Sequence, residues 1–448
     1  MKALRNTFKE LLRYPSAIFG LSIIALLVAI SIYAVISIPY KEAVRLWRGG
    51  EGIWEQYPRN APPAWTNLFK SQKVPETLFL SSADGSAEKV LYPGENGVNT
   101  IVMTYTFDYQ FDTFPDDMSL FFTAKYDEKQ PFLSISWLPP DGEAIRVADF
   151  GSGNTKTYPF SQDTKLQRRL AGLLPHQALF VADPKAGLTE PVRGTYKVRV
   201  SATTFEPDSD VDAEFVLYGK VYGIAGTDHL RRDLKVALLW GTPVALAFGL
   251  VAALGTTLLT MAIAAIATWF GGWVDAIVQR ITAVNMVLPF LPILMMIGLF
   301  YSKSIVVILG AVILLSIFTG SILTYRSIFL QVKESPYIEA ARAYGAGSWR
   351  IIFSYLAPRI VPMLIPNLVA AIPGFVFLEA ALAFLGLGDP TLPTWGKIIN
   401  DANANGALYQ GFYYWVLEPA ALLVLTGLAF AMLGFSLDRI FNPRLRGL

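Results

Sequence analysis

The chain has 448 residues, of which 53% are hydrophobic and 16% are charged, and its formal net charge at pH 7 is +2. An ordinary soluble protein has about 25% charged residues, so this composition indicates a membrane protein, and the small net charge gives no reason to expect a nucleic-acid partner. The chain contains no cysteine, which excludes disulfides, cysteine-ligated zinc and thiol chemistry.

The first long apolar segment covers residues 17–38 and contains no charged residue. At a rise of 1.5 Å per residue, a helix of this length can cross a bilayer core about 30 Å thick. The segment is too long for the apolar core of a signal peptide, and no obvious small-residue cleavage site accompanies it. We therefore expect residues 1–40 to form a cytoplasmic N-terminus and a retained transmembrane helix.

Residues 41–224 are predicted to form a β-rich domain outside the membrane. An aromatic, proline-rich lead is followed by short runs of strand-forming residues that are separated by turn signals, of which Pro-Pro-Asp-Gly at 139–142 is the strongest. A segment of this size can bury its own core, and we expect a β-sandwich-like fold. The predicted strands are residues 77–80, 100–111, 120–126, 132–138, 144–148, 195–202 and 213–221.

The residues of this domain leave two possible roles open. His176 is its one histidine, and an isolated histidine is more often a surface or hydrogen-bonded residue than a metal ligand. The domain would be either a docking platform for an external substrate-delivering protein or a spacer that stabilises an assembly. Its aromatic lead could also pack against the membrane surface, where tryptophan is favoured.

Five further apolar segments follow, which predicts six transmembrane helices in total. Prolines lie inside these segments or at their ends, where neighbouring helices can satisfy the freed carbonyl groups. Thirteen Lys and Arg residues flank one set of helix ends and five flank the other, so both termini are predicted to be cytoplasmic. The five segments are residues 236–270, 281–300, 304–323, 360–387 and 415–437.

A polar, helix-forming segment, residues 335–358, separates the fourth and fifth apolar segments. Ser335 is predicted to N-cap a short helix that has Pro336 at its first position and Glu339 in its first turn, where the helix dipole favours an acid. Ala340 and Ala341 are good helix formers with small side chains. Another protein surface could therefore approach this helix closely.

The second half of this segment is predicted to turn and start another helix. Gly345 is expected to end the first helix, and either Gly345 or Gly347 could adopt the left-handed conformation of a C-cap. Ser348 is predicted to cap a helix that begins at Trp349 and cannot run normally past Pro358. On these residues alone, the segment could also be a helix–turn–helix that only connects two spans.

The order Glu339-Ala340-Ala341, then Gly345, then a proline at Pro358 resembles the EAA loop of ABC-importer permeases. The family more often has leucine directly before this proline, where the present chain has Ala357. The resemblance implies that the loop is a coupling helix that docks into a groove on an ATP-hydrolysing subunit. Residues 335–358 would then form the contact through which ATP hydrolysis drives the membrane helices.

Four other segments resemble the dipeptide and oligopeptide branch of these permeases, the DppC/OppC type, so the resemblance covers residues 1–40 and 225–448. The segments are Gly-Thr-Asp-His-Leu-Arg-Arg-Asp at 226–233, Gly-Gly-Trp-Val-Asp at 271–275, the Leu-Glu-Ala-Ala-Leu run at 378–388 and Pro-Thr-Trp-Gly at 393–396. The branch usually has glycine, which permits a tight backbone approach, where this chain has Arg231. The resemblance makes Asp228, Arg232 and Asp233 candidates for pathway or family-motif roles.

Two acids are predicted within or at the edge of the spans, and an ionisable group inside a membrane is a functional hypothesis because it is costly to expose to lipid. For Glu379 we expect a structural hydrogen bond beside the pathway, with proton or substrate binding as the alternative. Glu418 is close enough to the outer end of its span to reach water.

Several kinds of site are missing from the sequence. The chain has no GxxxxGK[ST] phosphate-binding loop and no HExxH metalloprotease motif, so we expect neither catalytic activity nor a bound cofactor or metal. ATP and magnesium would be held by partner ATPase subunits. An acid–base relay is also not evident, which argues against a proton-coupled carrier.

The resemblance therefore implies a membrane all-α permease of the ABC type I importer fold with a β-sandwich-like insert, located in the cell membrane. Its partners would be a second homologous permease, two ATPase subunits, an extracytoplasmic substrate-binding protein and membrane lipid. The family carries peptides, and oligosaccharides or nickel are alternative cargoes. A membrane-anchored receptor or assembly protein that uses the β-domain, and an ion-driven carrier that acts alone, are the rival functions.

Overall fold

The computed structural model describes residues 10–50, 52–140, 142–188 and 190–441, which form two compact units. One unit contains the residues up to Arg48 and those from Val236 onwards, and the other runs from Gly49 to Lys235. The sequence predicted the two corresponding boundaries earlier in the chain, after residues 40 and 224. The first boundary moves because residues 41–48 belong to a short helix whose Trp47 is buried, with the ammonium group of Lys397 5.8 Å from its ring centroid.

The helical unit consists of twelve described helices. Those in its first half are α1 (Pro15–Ser37), α2 (Tyr40–Arg48), α3 (Leu234–Phe270), α4 (Gly272–Val287), α5 (Phe290–Phe300) and α6 (Ile305–Ile317). Those in its second half are α7 (Gly320–Lys333), α8 (Pro336–Ala343), α9 (Ser348–Ile351), α10 (Ala357–Phe384), α11 (Trp395–Ala404) and α12 (Tyr414–Phe441).

Four helical stretches are long and apolar enough to cross a membrane by themselves: α1, α3, the continuous run Ser348–Phe384, and α12. The other two predicted spans are bent pairs, with an 82° bend between α4 and α5 and a 48° bend between α6 and α7. The first bend lies at Pro289, and Leu288 before it is extended, as steric contact with a following proline requires. The number of spans is six if each bent pair crosses once.

The sequence predicts that the helix after Ser348 cannot run normally past Pro358, and the structure shows how it continues. The chain stays helical from α9 into α10 through a π-helical turn, Ile352–Leu356, which ends two residues before the proline. A π turn shifts the hydrogen-bond pattern by one residue, so the helix absorbs a residue that has no N–H to donate. Ser348–Phe384 is therefore one continuous helical run.

The second unit, Gly49–Lys235, contains two antiparallel sheets. One has the strand order β1-β9-β4-β7 and the other β2-β3-β8-β5-β6. The strands are β1 (Leu78–Ser81), β2 (Glu88–Pro93), β3 (Asn99–Tyr109), β4 (Asp117–Lys125), β5 (Phe132–Leu138), β6 (Ile145–Gly151), β7 (Thr155–Pro159), β8 (Gly194–Thr204) and β9 (Asp210–Tyr218).

Seven of these strands correspond to the seven predicted ones, and β2 and β7 were missed. Both missed strands lie at the end of their sheet and contain no fully buried residue, so they have no buried face to produce alternating hydrophobicity. The predicted turn at 139–142 includes residue 141, which lies outside the described residues. The strands on either side of it, β5 and β6, pair antiparallel.

The two sheets enclose one core, which is the arrangement of a β-sandwich. Phe107 of β3 stacks on Phe215 of β9 in the other sheet, with 5.6 Å between ring centroids. The hydroxyl of Tyr105 crosses between the sheets and donates to the backbone carbonyl of Ala213 at 2.7 Å. Trp137 is fully buried and its Nε1 donates to the carbonyl of Leu179 at 2.9 Å. The polar atoms of these aromatic residues are therefore satisfied inside the core.

Candidate functional site

Helix α8 carries the predicted Glu-Ala-Ala sequence and has a well-defined end. Gly345 has φ of +78°, and its N–H donates to the carbonyl of Arg342 at 2.9 Å. The N–H of Ala346 donates to the carbonyl of Ala341 at 3.0 Å. These two bonds are the Schellman pattern, which needs a left-handed residue at this position. Gly345 therefore takes the left-handed role, and Gly347, with φ of −68°, does not.

The two predicted serine caps differ from the structure. Ser335 is at the N-cap position of α8 and Pro336 is at its first helical position, as expected, but the Ser335 side chain makes no capping hydrogen bond to a described residue. Ser348 is the first residue of α9 and Gly347 is at its N-cap position, so the predicted Ser348 cap is wrong by one residue. The Schellman turn already directs the chain into α9, which removes the need for a side-chain cap.

Helix α8 has one buried face and one exposed face. Ile338 and Ala341 are buried, and Ile338 belongs to an apolar cluster that includes Phe329. Glu339 and Ala340 are exposed, and Tyr344 at the end of the helix is 93% exposed. The small residues thus leave the backbone of α8 accessible, while its other face fixes it to the helical unit.

The segment is also tied to the C-terminal end of α3. The Nζ of Lys333 donates to the carbonyls of Thr268 and Trp269, at 2.9 and 3.1 Å, in the last turn of α3. These carbonyls have no partner within the helix at its end. The guanidinium of Arg342 lies over the ring of Trp269, 4.4 Å from its centroid. The end of α7, through Lys333, and helix α8, through Arg342, therefore both contact the end of α3.

The Gly-Gly-Trp-Val-Asp sequence forms the corner between α3 and α4. Gly271 and Gly272 both have positive φ, 62° and 54°, which allows the sharp turn. Asp275 accepts two hydrogen bonds from the guanidinium of Arg326 in α7, at 2.6 and 2.5 Å, and a third from Gln279 at 2.7 Å. This two-point pair holds α4 to α7, the helix that leads into the loop.

A polar cavity of ≈ 570 Å³ lies between helices of the same unit. It shares Tyr325 with the apolar cluster beneath α8, so one side chain of α7 contacts both features. The cavity is lined by Thr256, Thr257, Thr260, Ser316, Thr319, Ser321, Thr324, Tyr325, Asn367, Ala370, Ala371 and Phe375.

The cavity borders the break between α6 and α7, where several backbone carbonyls lose their helical partners. Asn285 of α4 donates from Nδ2 to the carbonyls of Leu315 and Phe318, at 2.9 and 2.8 Å. The hydroxyl of Thr260 in α3 donates to the carbonyl of Ile317 at 3.0 Å. Interrupted helices are stable inside a membrane when side chains satisfy the freed groups in this way. Sequence analysis did not single out Asn285, although an amide side chain among apolar residues is a detectable signal.

Asp228, Arg232 and Asp233 lie in one hydrogen-bonded turn of the β-rich unit. Asp228 Oδ1 accepts from the N–H groups of Leu230 and Arg232, both at 2.8 Å, and its Oδ2 pairs with the Arg232 guanidinium. Asp233 accepts from the N–H of Lys235 at 2.9 Å in the manner of an N-cap, and burial raises the pKa of its carboxyl. Each side chain is used within the turn, so the structure gives these residues folding contacts.

Arg231 has a left-handed backbone conformation that is ordinarily adopted by glycine. Its φ is +65°, a region that costs a non-glycine residue about 1–2 kcal/mol. Its guanidinium donates to the carbonyl of Tyr57 at 2.6 Å and lies 4.9 Å from the ring centroid of Tyr218. These side-chain contacts offset the backbone strain.

Glu379 lies in α10 and is 6% exposed, with the Thr394 side chain nearby. The cleft beside it has a volume of ≈ 10 Å³, which is at the lower limit for one water molecule. Glu379 is not among the residues that line the polar cavity. The structural hydrogen bond expected for Glu379 stays a prediction.

The described residues contain no group of three or more His, Cys, Asp or Glu side chains that could hold a metal ion. His176 is buried in a short helix, Pro175–Ala178, and burial lowers its pKa. The prediction of a surface or hydrogen-bonded histidine therefore underestimated its burial.

Comparison with known proteins identifies relatives of the helical unit. Residues 237–447 match the family described as binding-protein-dependent transport system inner membrane component. The chain is 30% identical over 229 residues to the glutathione transport system permease protein GsiD of Pectobacterium atrosepticum, which covers 49% of this chain and 72% of that protein.

Two other relatives are named for different cargoes. The chain is 31% identical over 225 residues to the dipeptide transport system permease protein DppC of Bacillus subtilis, covering 49% of this chain and 68% of that protein. It is 32% identical over 181 residues to the peptidoglycan transport system permease protein YejE of Agrobacterium fabrum, covering 40% of this chain and 47% of that protein.

Proposed function

Because this chain belongs to the family of binding-protein-dependent transport system inner membrane components, and within it to the DppC/OppC type of peptide permease, we propose that it forms half of the translocation pathway of an ATP-driven peptide importer. A second, homologous permease would form the other half. Two ATPase subunits would bind ATP and magnesium, and an extracytoplasmic binding protein would deliver the peptide. The chain itself would catalyse no reaction.

The observation that most directly supports this proposal is the exposed face of α8 together with its connection to the membrane helices. Glu339, Ala340 and Gly345 are accessible, whereas Lys333 and Arg342 contact the end of α3. We assign residues 335–358 to the cytoplasmic side, with both termini, because the basic residues concentrate there. Closure of the ATPases around ATP would displace α8, and α3 and α7 would follow, which switches the pathway from inward- to outward-facing.

The cargo is proposed as peptide because two relatives are named as permeases for glutathione and for dipeptide, and both of these cargoes contain amide bonds. Oligosaccharides and nickel are the alternative cargoes of similar machinery. The β-rich unit would be a docking platform for the binding protein or a spacer. If the chain were instead a receptor or an assembly protein, it would bind its partner through this unit.

Affinity purification of the tagged full-length chain in mild detergent tests this function. We expect recovery of two ATPase subunits and one homologous permease, and stimulation of ATP hydrolysis by the peptide-loaded binding protein. Recovery of the chain alone, under conditions that preserve a known membrane complex from the same cells, would contradict the importer and favour the receptor or the ion-driven carrier.

A further inference from the structure

We propose that the polar cavity beside the α6–α7 break is a peptide-binding site that holds backbone amides by uncharged hydrogen bonds and does not discriminate between peptides by side-chain charge. This inference depends on the proposed function and adds a defined site to it. The site lies in the permease chain itself and is separate from any site on the binding protein.

The lining of the cavity has the chemistry that a peptide backbone requires. Eight hydroxyl side chains and the amide of Asn367 surround it, and none of its described lining residues is charged. Hydroxyl and amide groups can both donate and accept hydrogen bonds, so they match the N–H and C=O groups of a peptide in either direction. The volume of ≈ 570 Å³ falls within the range of about 300–1,000 Å³ that is typical of small-molecule sites.

Thr256 provides a second, independent observation. Its hydroxyl oxygen is buried and has no hydrogen-bond partner among the described residues. By contrast, the hydroxyls of other threonines in the membrane helices donate to the carbonyl four residues earlier: Thr242, Thr268, Thr282 and Thr426. Buried polar groups without a partner are rare in folded proteins. Thr256 therefore lines the cavity with a hydroxyl whose hydrogen-bonding capacity is not used by the described residues.

The absence of charge from the described lining has a consequence for selectivity. An ionised side chain in a poorly hydrated wall would attract peptides of one charge and repel the other. A neutral wall that binds the backbone gives the same interaction to peptides of any sequence. Charge selection would then belong to the binding protein, and the permease would accept what it is given.

The test uses the complete reconstituted complex with the substitution Thr256→Val, which removes one hydroxyl and keeps the shape of the side chain. The probes are Ala-Ala-Ala, Ala-Glu-Ala and Ala-Lys-Ala. For each peptide that the unaltered complex imports, we expect uptake to fall by about 2- to 10-fold, the effect of one uncharged hydrogen bond, and by the same factor. Stimulated ATP hydrolysis should persist, because α8 and its contacts are unchanged.

The matched control is Thr242→Val, on the same helix α3. Thr242 is buried, donates to the carbonyl of Leu238 and does not line the cavity. Uptake by this variant should stay within twofold of the unaltered complex. Equal uptake by both variants would overturn the site, as would a loss with Thr256→Val that depended on peptide charge or removed stimulated ATP hydrolysis as well.

A second measurement uses the lack of cysteine in the chain. Thr257→Cys places one thiol in the cavity, whereas Ser327→Cys places one at an exposed position of α7 that does not line it. A thiol reagent should label both variants, and an imported tripeptide should protect only the first. Protection of neither would overturn the site. Failure of the unaltered complex to import any of the three peptides would instead count against the proposed function.

Discussion

Gly345→Val should abolish the stimulation of ATP hydrolysis by the peptide-loaded binding protein, and peptide import with it. Gly345 has φ of +78°, and a β-branched residue in this region is a genuine outlier. Valine would force the chain out of the Schellman turn that fixes α8. The exposed face of Glu339 and Ala340 would then no longer have the orientation in which we propose that it docks on an ATPase. We would measure stimulated ATP hydrolysis and uptake in proteoliposomes.

Gly347→Val is the matched control for this experiment. Gly347 lies two residues away, has φ of −68°, and a Cβ built there meets no described atom within 4 Å. This variant should assemble and hydrolyse ATP normally. Glu339→Lys should reproduce the loss in the Gly345 variant without altering the backbone, because it reverses the charge in the first turn of α8. Normal coupled import by Gly345→Val and Glu339→Lys would refute the proposed use of the loop.

The sequence predicted the features of this loop that depend on local chemistry. Glycine is the residue that adopts a left-handed C-cap at no steric cost, so the sequence predicted that Gly345 ends the helix but left the left-handed position open between Gly345 and Gly347. Ser335 was predicted correctly in place but incorrectly in bonding, because a serine at an N-cap position need not turn its side chain towards the helix. The sequence predicted an irregularity near Pro358, but it did not predict the π turn, which leaves no signature in residue type.

The contacts between distant helices could not be predicted from one sequence. In the sequence, Lys333 is one of several basic residues near a predicted membrane surface. In the structure, its ammonium group donates to two carbonyls in the last turn of α3, about 65 residues earlier in the chain. Asn285 and Thr260 have no common pattern, and only the fold brings them to the same break. Arg231 is a further case, because its positive φ is a backbone conformation that its residue type does not predict.

Close packing between helices accounts for the family motifs around α10 and α11. Gly396 crosses α10 so closely that a Cβ on it would lie 2.3 Å from the carbonyl oxygen of Ala380. Trp395 beside it is fully buried, donates from Nε1 to the carbonyl of Leu238 at 3.0 Å, and covers Gly241 of α3. The Pro-Thr-Trp-Gly sequence therefore joins α3, α10 and α11, and it also places Thr394 near Glu379.

Gly396→Ala should consequently destabilise the helical unit by about 3 kcal/mol, the upper part of the usual range for overpacking. The obstacle is backbone, and a helix backbone cannot move aside as a flexible side chain can. Gly434→Ala in α12 is the matched control, since it is also buried at a helix contact but a Cβ there would meet Ala370 at an ordinary 3.5 Å. It should be neutral or slightly stabilising, because alanine is the better helix former.

The measurement is the fraction of detergent-solubilised chain that remains monodisperse after stepwise heating. Gly396→Ala should lose the folded form at a lower temperature than the unaltered chain, and Gly434→Ala should not. If both variants resisted heating equally, the backbones of α10 and α11 would have to lie farther apart at Gly396 than they do in the structure. The structural hydrogen bond expected for Glu379 would then lose its basis, because the same crossing brings Glu379 near Thr394.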